Sequence, residues 1–154
     1  MNQIVCIVHS FLTGAFNRAV ADCHAQGGGT IRVPKGDWLT VPSPYNGLLL
    51  CLGCMQEAGE VVPDVIRYFG EREKIFYIHF RNVLGTVPRY TEVFPDDGDG
   101  DMAANLRALK EVGYQGYLVP DHHFEVAADD AEYPLISRAW QIGYIRGLLQ
   151  NLGI

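Results

Sequence analysis

The run Ile75-Phe76-Tyr77-Ile78-His79-Phe80 is a short apolar segment typical of a β-strand. Similar runs occur at Leu48–Cys51 and at Tyr117–Val119. A longer segment with apolar residues at helical spacing follows each of the three runs. These segments are 61–69, 102–112 and 134–152. From residue 48 onward the chain therefore repeats a strand–helix pattern three times.

The segment 102–112 has the clearest helix signals. Asp101 can cap the first turn, apolar residues from Met102 to Val112 form one stripe, and Gly113 suits the helix end. Because a parallel neighbour can be reached only through a crossover, alternating strands and helices predict right-handed parallel connections. We therefore predict an α/β fold for this part of the chain.

The last predicted helix begins with Pro134 in its first turn and ends at Gly153. The residues before the first strand have a different character, with a helical stretch near residues 15–25, a triple glycine at 27–29 and a turn at 34–37. We therefore divide the chain into an N-terminal segment, residues 1–43, and an α/β part, residues 44–154.

Composition excludes several classes of protein. The length of 154 residues favours one domain, and the 48% hydrophobic content supports a folded core. A net charge of −6 without a basic patch argues against nucleic acid as a partner. No apolar run approaches the ~20 residues needed to cross a bilayer, and no basic flank marks a secretory signal. We expect a cytoplasmic protein whose four cysteines are thiols or metal ligands.

Polar residues that can bind a metal follow the three predicted strands. Cys51, His79 and Asp121 each lie at the C-terminal end of a run, and His122 comes next to Asp121. Since the C-terminal strand ends of parallel α/β folds form the ligand site, these groups are expected to converge. Thiolate, imidazole and carboxylate suit manganese, iron or zinc. The alternative is that each residue is structural, as a lone buried cysteine or histidine usually is.

Two other motifs have weaker interpretations. Cys51-Leu52-Gly53-Cys54 is a Cys-X-X-Cys sequence of the kind found in redox or zinc sites, but no second cysteine pair follows. The acidic run 96–101 has the composition of a calcium loop, but its register would place Met102 at the required glycine. We interpret this run as a solvated loop whose last aspartate caps the next helix.

The α/β part resembles the C-terminal half of mannonate dehydratase, a metal-dependent enzyme of hexuronate breakdown. The matching segments are Asn46-Gly47-Leu48 through Cys51 and Gly53, His79-Phe80-Arg81-Asn82-Val83, Glu92-Val93-Phe94, Asp101-Met102, Gly113-Tyr114-Gln115-Gly116, Pro120-Asp121-His122, Tyr133 and Arg138. The resemblance implies a partial TIM barrel, xylose-isomerase-like, consisting of the last three strand–helix units. The reaction that the resemblance implies is the dehydration of D-mannonate, a small sugar acid, to 2-keto-3-deoxy-D-gluconate in glucuronate catabolism.

The resemblance also assigns roles to residues. Cys51, His79 and Asp121 match the family's metal-ligand positions, with manganese (Mn2+) or iron (Fe2+) as the expected cofactor. His122 and Tyr133 match its proton-transfer residues, and which of the two acts as the base is left open. Arg81 matches a position expected to bind the substrate carboxylate, which a planar guanidinium can contact through two oxygens.

The chain also departs from the family pattern. The family has a further histidine ligand for which this sequence has no matching segment, and a full barrel needs ~250 residues. Cys54 stands where we expect a small hydroxyl residue. We therefore expect weak or absent turnover by the isolated chain, and a non-catalytic remnant is the alternative. A homo-oligomer is also left open.

The N-terminal segment has a shorter resemblance of its own. Residues 15–20, 27–30 and 33–40 resemble the opening of a polygalacturonase-type glycoside hydrolase. Those enzymes are parallel β-helices whose catalytic aspartates lie further along the chain, so no catalytic role is assigned here. A fragment of a pectin-degrading hydrolase is the third functional alternative, and fusion of two neighbouring reading frames is one origin for the combination.

Overall fold

The computed structural model describes residues 44–45, 47–124, 126–127 and 134–154. The predictions made for residues 1–43, including the helical stretch and the hydrolase-like segment, lie outside this range, as does Tyr133. The elements in chain order are β1 (Leu48–Cys51), α1 (Leu52–Glu57), α2 (Val62–Gly70), β2 (Ile75–His79), β3 (Asn82–Thr86), β4 (Arg89–Val93), α3 (Met102–Glu111), β5 (Tyr117–Val119) and α4 (Leu135–Leu152).

The central feature is a three-stranded parallel sheet with the strand order β1-β2-β5. Cys51 is paired with His79, and His79 with Val119, so the three strands end at the same level. All three strands occur where the apolar runs predict them. This part of the chain has the predicted α/β architecture, with α2, α3 and α4 as the helices of the repeated units.

Helix boundaries follow the signals in the sequence. Asp101 caps α3, its Oδ1 accepting the backbone N–H of Ala104 at 2.8 Å. Helix α4 starts directly after Pro134 and ends at Gly153, whose φ of 63° is left-handed and therefore favours glycine. No helix in the described ranges is long and apolar enough to span a membrane.

The hydrophobic core lies between the sheet and the helices. The strand residues Leu50 and Ile78 are buried at 2% and 0% exposure. They belong to one cluster with residues of the flanking helices, namely Leu52, Val62, Ile66, Met102, Leu106, Leu109 and Ile145. Since burying one aliphatic side chain contributes about 1.5–3 kcal/mol, this cluster fixes the sheet relative to its helices.

Two stretches that the sequence analysis assigns to loops contain regular structure. The Gly- and Glu-containing loop after β1 begins with the short helix α1, which buries Leu52. The long polar loop before α3 contains the antiparallel hairpin β3–β4, in which Asn82 pairs with Val93. Both predictions were wrong because α1 is only 6 residues long and the hairpin is largely exposed, so neither shows a long apolar period.

The acidic glycine-rich run 96–101 folds around the side chain of Asn82, which is fully buried. Asn82 donates to the carbonyl oxygens of Pro95 at 2.8 Å and Gly100 at 3.1 Å, and it accepts the N–H groups of Val83 and Gly100. A Cβ at Gly98 would lie 2.2 Å from the Asn82 side chain. The run therefore encloses a buried amide, which explains its glycines.

Replacing Asn82 tests this arrangement. Asn82→Ala leaves several buried backbone groups without partners, so we expect the free energy of unfolding to fall by about 3 kcal/mol. Urea unfolding followed by circular dichroism measures the change. The control is Thr86→Ala at an exposed position of the same hairpin, for which we expect at most ~0.5 kcal/mol. Equal effects of the two substitutions would contradict the role assigned to Asn82.

Candidate metal centre

The strand register brings the three predicted ligands together. Cys51 and His79 are the last residues of β1 and β2 and are directly paired, and Asp121 follows β5 after one intervening residue. One ligand atom from each of the three side chains lies within 4.8 Å of the other two. Within the described ranges, no other group of three or more His, Cys, Asp or Glu side chains could hold a metal ion in this way.

Asp121 links the cluster and has a free acceptor. Its Oδ2 lies 3.3 Å from Nδ1 of His79 and 3.5 Å from Nε2 of His122. Its Oδ1 is buried and is the one such side-chain atom in the described part of the chain without a hydrogen-bond partner. Leaving a buried carboxylate oxygen unpaired is costly, and a cation would satisfy it. The residues present therefore fit a divalent metal in both donor type and geometry.

Arg81 is buried next to the same group, with 5% of its side chain exposed. Its Nη2 lies 3.4 Å from Sγ of Cys51 and 3.0 Å from Sγ of Cys54. Carboxylates surround the rest of the guanidinium: Nη1 contacts Glu92, Nη2 lies 3.4 Å from Glu57, and Nε lies 3.8 Å from Asp121. A substrate carboxylate would have to replace one of these partners.

Gly53 makes room for Arg81. A Cβ at this position would lie 2.8 Å from Nε of Arg81, so a larger residue would displace the guanidinium. Burial opposes the charge on Arg81, but hydrogen bonding to Cys51 and the surrounding negative charges outweigh this effect and raise its pKa. Arg81 is therefore a permanent positive charge beside the two thiols.

The two cysteines have opposite proton affinities. A hydrogen bond from Cys54 lowers the pKa of Cys51, burial opposes this effect, and Arg81 adds to it. The same hydrogen bond and burial raise the pKa of Cys54. Cys51 is therefore the thiolate of the pair, which is the form that binds metals.

His122 lies at the exposed side of the cluster, with 47% of its side chain exposed. Its Nδ1 contacts Oε2 of Glu92, while Oε1 of Glu92 contacts Arg81. Glu92 thus bridges a buried arginine and the predicted proton-transfer histidine. Glu92 is a site residue that the sequence pattern does not predict, although it lies in one of the segments that carry the family resemblance.

These side chains open into a common pocket of about 860 Å³. Its walls include Cys51, Cys54, His79, Arg81, Asp121, His122 and Arg138. Arg138 extends from α4, with Nη1 contacting the carbonyl oxygen of Pro120. The structure thus brings together five of the six predicted site residues, and the sixth, Tyr133, is outside the described residues.

A parallel α/β sheet with a cluster of metal-type side chains at its C-terminal strand ends has the arrangement of a partial barrel, in which the ligand site lies at that end of the strands. The sequence model of the D-mannonate dehydratase (UxuA) family matches residues 37–153. The chain belongs to this family.

Individual relatives agree with the family match. The chain is 37% identical over 118 residues to the mannonate dehydratase of Thermotoga neapolitana, covering 73% of this chain and 33% of that protein. It is 38% identical over 117 residues to that of Enterococcus faecalis, covering 71% of this chain and 32% of that protein. The chain thus spans about a third of the length of these curated relatives.

Solved structures confirm the predicted fold. The mannonate dehydratase of Streptococcus suis serotype 2 superposes with a TM-score of 0.64 at 29% identity, covering 72% of this chain and 35% of that one. A xylose isomerase domain protein from Planctomyces limnophilus gives a TM-score of 0.68 at 17% identity, covering 92% and 54%. The second similarity shows the fold alone. The hydrolase-like resemblance of the N-terminal segment receives no support from these comparisons.

Replacing Arg81 tests its part in the cluster. In Arg81→Met the carboxylates of Asp121 and Glu57 lose their buried counter-ion, so we expect the free energy of unfolding to fall by about 3 kcal/mol. Arg67→Met is the matched control, because Arg67 also contacts two carboxylates but lies at the surface. Urea unfolding should separate Arg81→Met from the wild type and leave Arg67→Met close to it. The reverse order would contradict the structural role of Arg81.

Proposed function

We propose that this chain carries the metal-binding and proton-transfer part of a site that dehydrates D-mannonate to 2-keto-3-deoxy-D-gluconate, a step of glucuronate catabolism. The observation that carries the proposal is the cluster of Cys51, His79 and Asp121, with ligand atoms within 4.8 Å of one another. The proposal is also supported by the family of the chain, whose curated relatives are named mannonate dehydratase.

Cys51, His79 and Asp121 would hold a divalent metal, which we propose to be Mn2+ or Fe2+. Three protein ligands leave coordination positions open for substrate oxygens. Once bound, the cation supplies the positive charge that stabilises an enolate and polarises a departing hydroxyl group. The unpartnered Oδ1 of Asp121 supports this assignment, because a cation would remove the cost of its burial.

His122 is the proposed proton-transfer residue. His122 lines the pocket with 47% of its side chain exposed, and its Nδ1 contacts the Glu92 carboxylate. A carboxylate beside one ring nitrogen fixes the orientation of the ring and favours a proton there, so the other nitrogen can exchange a proton. Tyr133 stays a proposed second proton-transfer residue on the basis of the family resemblance alone.

The substrate carboxylate requires a cation in the pocket wall. Arg81 is the proposed contact, and binding would exchange one of its protein partners for the substrate. Arg138 also lines the pocket, and it is less buried than Arg81. A contact from either guanidinium would hold the substrate carboxylate beside the metal-binding cluster.

Metal binding is the first test. The purified, reduced chain should bind one Mn2+ per chain in isothermal titration calorimetry, and both His79→Ala and Asp121→Ala should abolish binding because each removes a ligand. His123→Ala, an exposed neighbour outside the ligand cluster, is the control and should bind like the wild type. Absence of binding by the wild type would favour the non-catalytic alternative.

Turnover is the second test. With Mn2+ and D-mannonate we expect slow formation of 2-keto-3-deoxy-D-gluconate, since the described residues supply three strands and three ligands. His122→Asn should lower the rate by about 10²-fold or more while leaving metal binding intact, because it removes the proton-transfer group. His123→Asn is the matched control and should retain the wild-type rate.

The product of this assay also separates the alternatives. Metal binding without any product would support the non-catalytic alternative, whereas robust product formation would contradict the expected weak activity of the isolated chain. Hydrolysis of polygalacturonate, assayed in parallel, would support the hydrolase alternative, which requires paired carboxylates on a β-helix. Equal rates for His122→Asn and the wild type would remove His122 from the mechanism.

A further inference from the structure

The second cysteine of the Cys-X-X-Cys sequence lies beside the predicted metal ligand. Cys51 is the residue before α1 and Cys54 lies within its first turn, and the backbone N–H of Cys54 is 3.4 Å from Sγ of Cys51. Residues three apart at this place in a helix lie on one face. Neither cysteine is part of a disulfide in this structure.

A single nitrogen contacts both sulfurs. Nη2 of Arg81 lies 3.4 Å from Sγ of Cys51 and 3.0 Å from Sγ of Cys54, so the two thiols are on the same side of one guanidinium. Both cysteines also line the pocket of about 860 Å³, and Cys54 is partly exposed. A small oxidant therefore has a route to the pair.

We propose that Cys51 and Cys54 form a redox-modifiable dithiol, which peroxide converts to an intramolecular disulfide, removing Cys51 from the metal-binding set. The effect on metal binding rests on the proposed function, whereas formation of the disulfide does not. The metal and the disulfide thus compete for the same sulfur atom.

The chemistry uses one peroxide molecule per pair. The Cys51 sulfur attacks one peroxide oxygen, the O–O bond breaks, and a sulfenic acid and one water are formed. The Cys54 sulfur then attacks the sulfenic sulfur, forming the S–S bond and releasing a second water. The two thiols are oxidised by two electrons in total and the peroxide is reduced. A thiol reductant reverses the step by thiol–disulfide exchange.

The consequence for the metal site follows from the ligand count. A disulfide sulfur is not a thiolate and does not replace it as a metal ligand. His79 and Asp121 would remain, so we expect the affinity for Mn2+ to fall at least ~10-fold on oxidation and to recover on reduction. In return, bound Mn2+ should slow the oxidation of Cys51, because a sulfur that is coordinated to the metal is not available to attack the peroxide.

One tryptic peptide reports on the pair. Cleavage after Lys35 and Arg67 releases residues 36–67, which contain Cys51 and Cys54 and neither of the other two cysteines. The chain is treated with hydrogen peroxide, alkylated with iodoacetamide and digested with trypsin, and the mass of the peptide is measured by mass spectrometry. We expect this peptide to lose two hydrogen atoms and to escape alkylation. Oxidation of Met55 would instead add oxygen, so the two events are distinguishable.

Cys54→Ser is the matched variant, because serine keeps a hydroxyl donor but cannot form the disulfide. Peroxide should produce the dehydrogenated peptide from the wild type and should not produce it from Cys54→Ser. Cys6→Ser with Cys23→Ser, combined in one variant, should oxidise and lose Mn2+ as the wild type does, since the other cysteines take no part.

Three results overturn the proposal. One is a peptide 36–67 that keeps two alkylated cysteines after peroxide treatment, and another is a disulfide that leaves the affinity for Mn2+ unchanged. The third is a reduced wild-type chain that binds no Mn2+, which refutes the metal site and with it the competition. The peptide mass is read independently of the metal, so failure of the disulfide and failure of the metal site are distinguished.

Discussion

The alignment of three parallel strands at their C-terminal ends is the constraint on which the rest of the structure depends. Backbone pairing places Cys51 level with His79 and His79 level with Val119, and Asp121 follows closely. Because parallel strands have the same direction, residues far apart in sequence must meet at one edge. Core residues such as Leu50 and Ile78 hold this register, so the packing of the core positions the site chemistry.

Arg81 balances the negative charge that collects where the three strands end. Acidic side chains and a low-pKa thiol collect in a partly buried space, where unpaired negative charge is expensive. A buried guanidinium balances them, and Gly53 provides the room it needs. The same residue connects the cluster to Glu92 and through it to His122, so the hairpin β3–β4 becomes part of the site.

Cys54 is the residue on which the proposed redox chemistry depends, and this chemistry is separate from the proposed dehydration. In this chain it places a second thiol next to a metal-type ligand, and both face the same guanidinium. The proposed metal binding and the proposed thiol oxidation would use the same sulfur atom, and neither requires a change in the fold.

The apolar runs in the sequence were sufficient to predict the three strands, the helices that follow them and the convergence of Cys51, His79 and Asp121 at the strand ends, because periodicity and chain direction are local properties. The short helix α1 and the hairpin β3–β4 were not predictable from the apolar pattern. Helix α1 has only 6 residues, and the hairpin is largely exposed, so neither contains a long apolar repeat. The bridge formed by Glu92, the burial of Arg81 among carboxylates and the enclosure of Asn82 by the acidic run were decided only by tertiary structure. Each of these depends on contacts between residues more than ten positions apart, which no local pattern encodes.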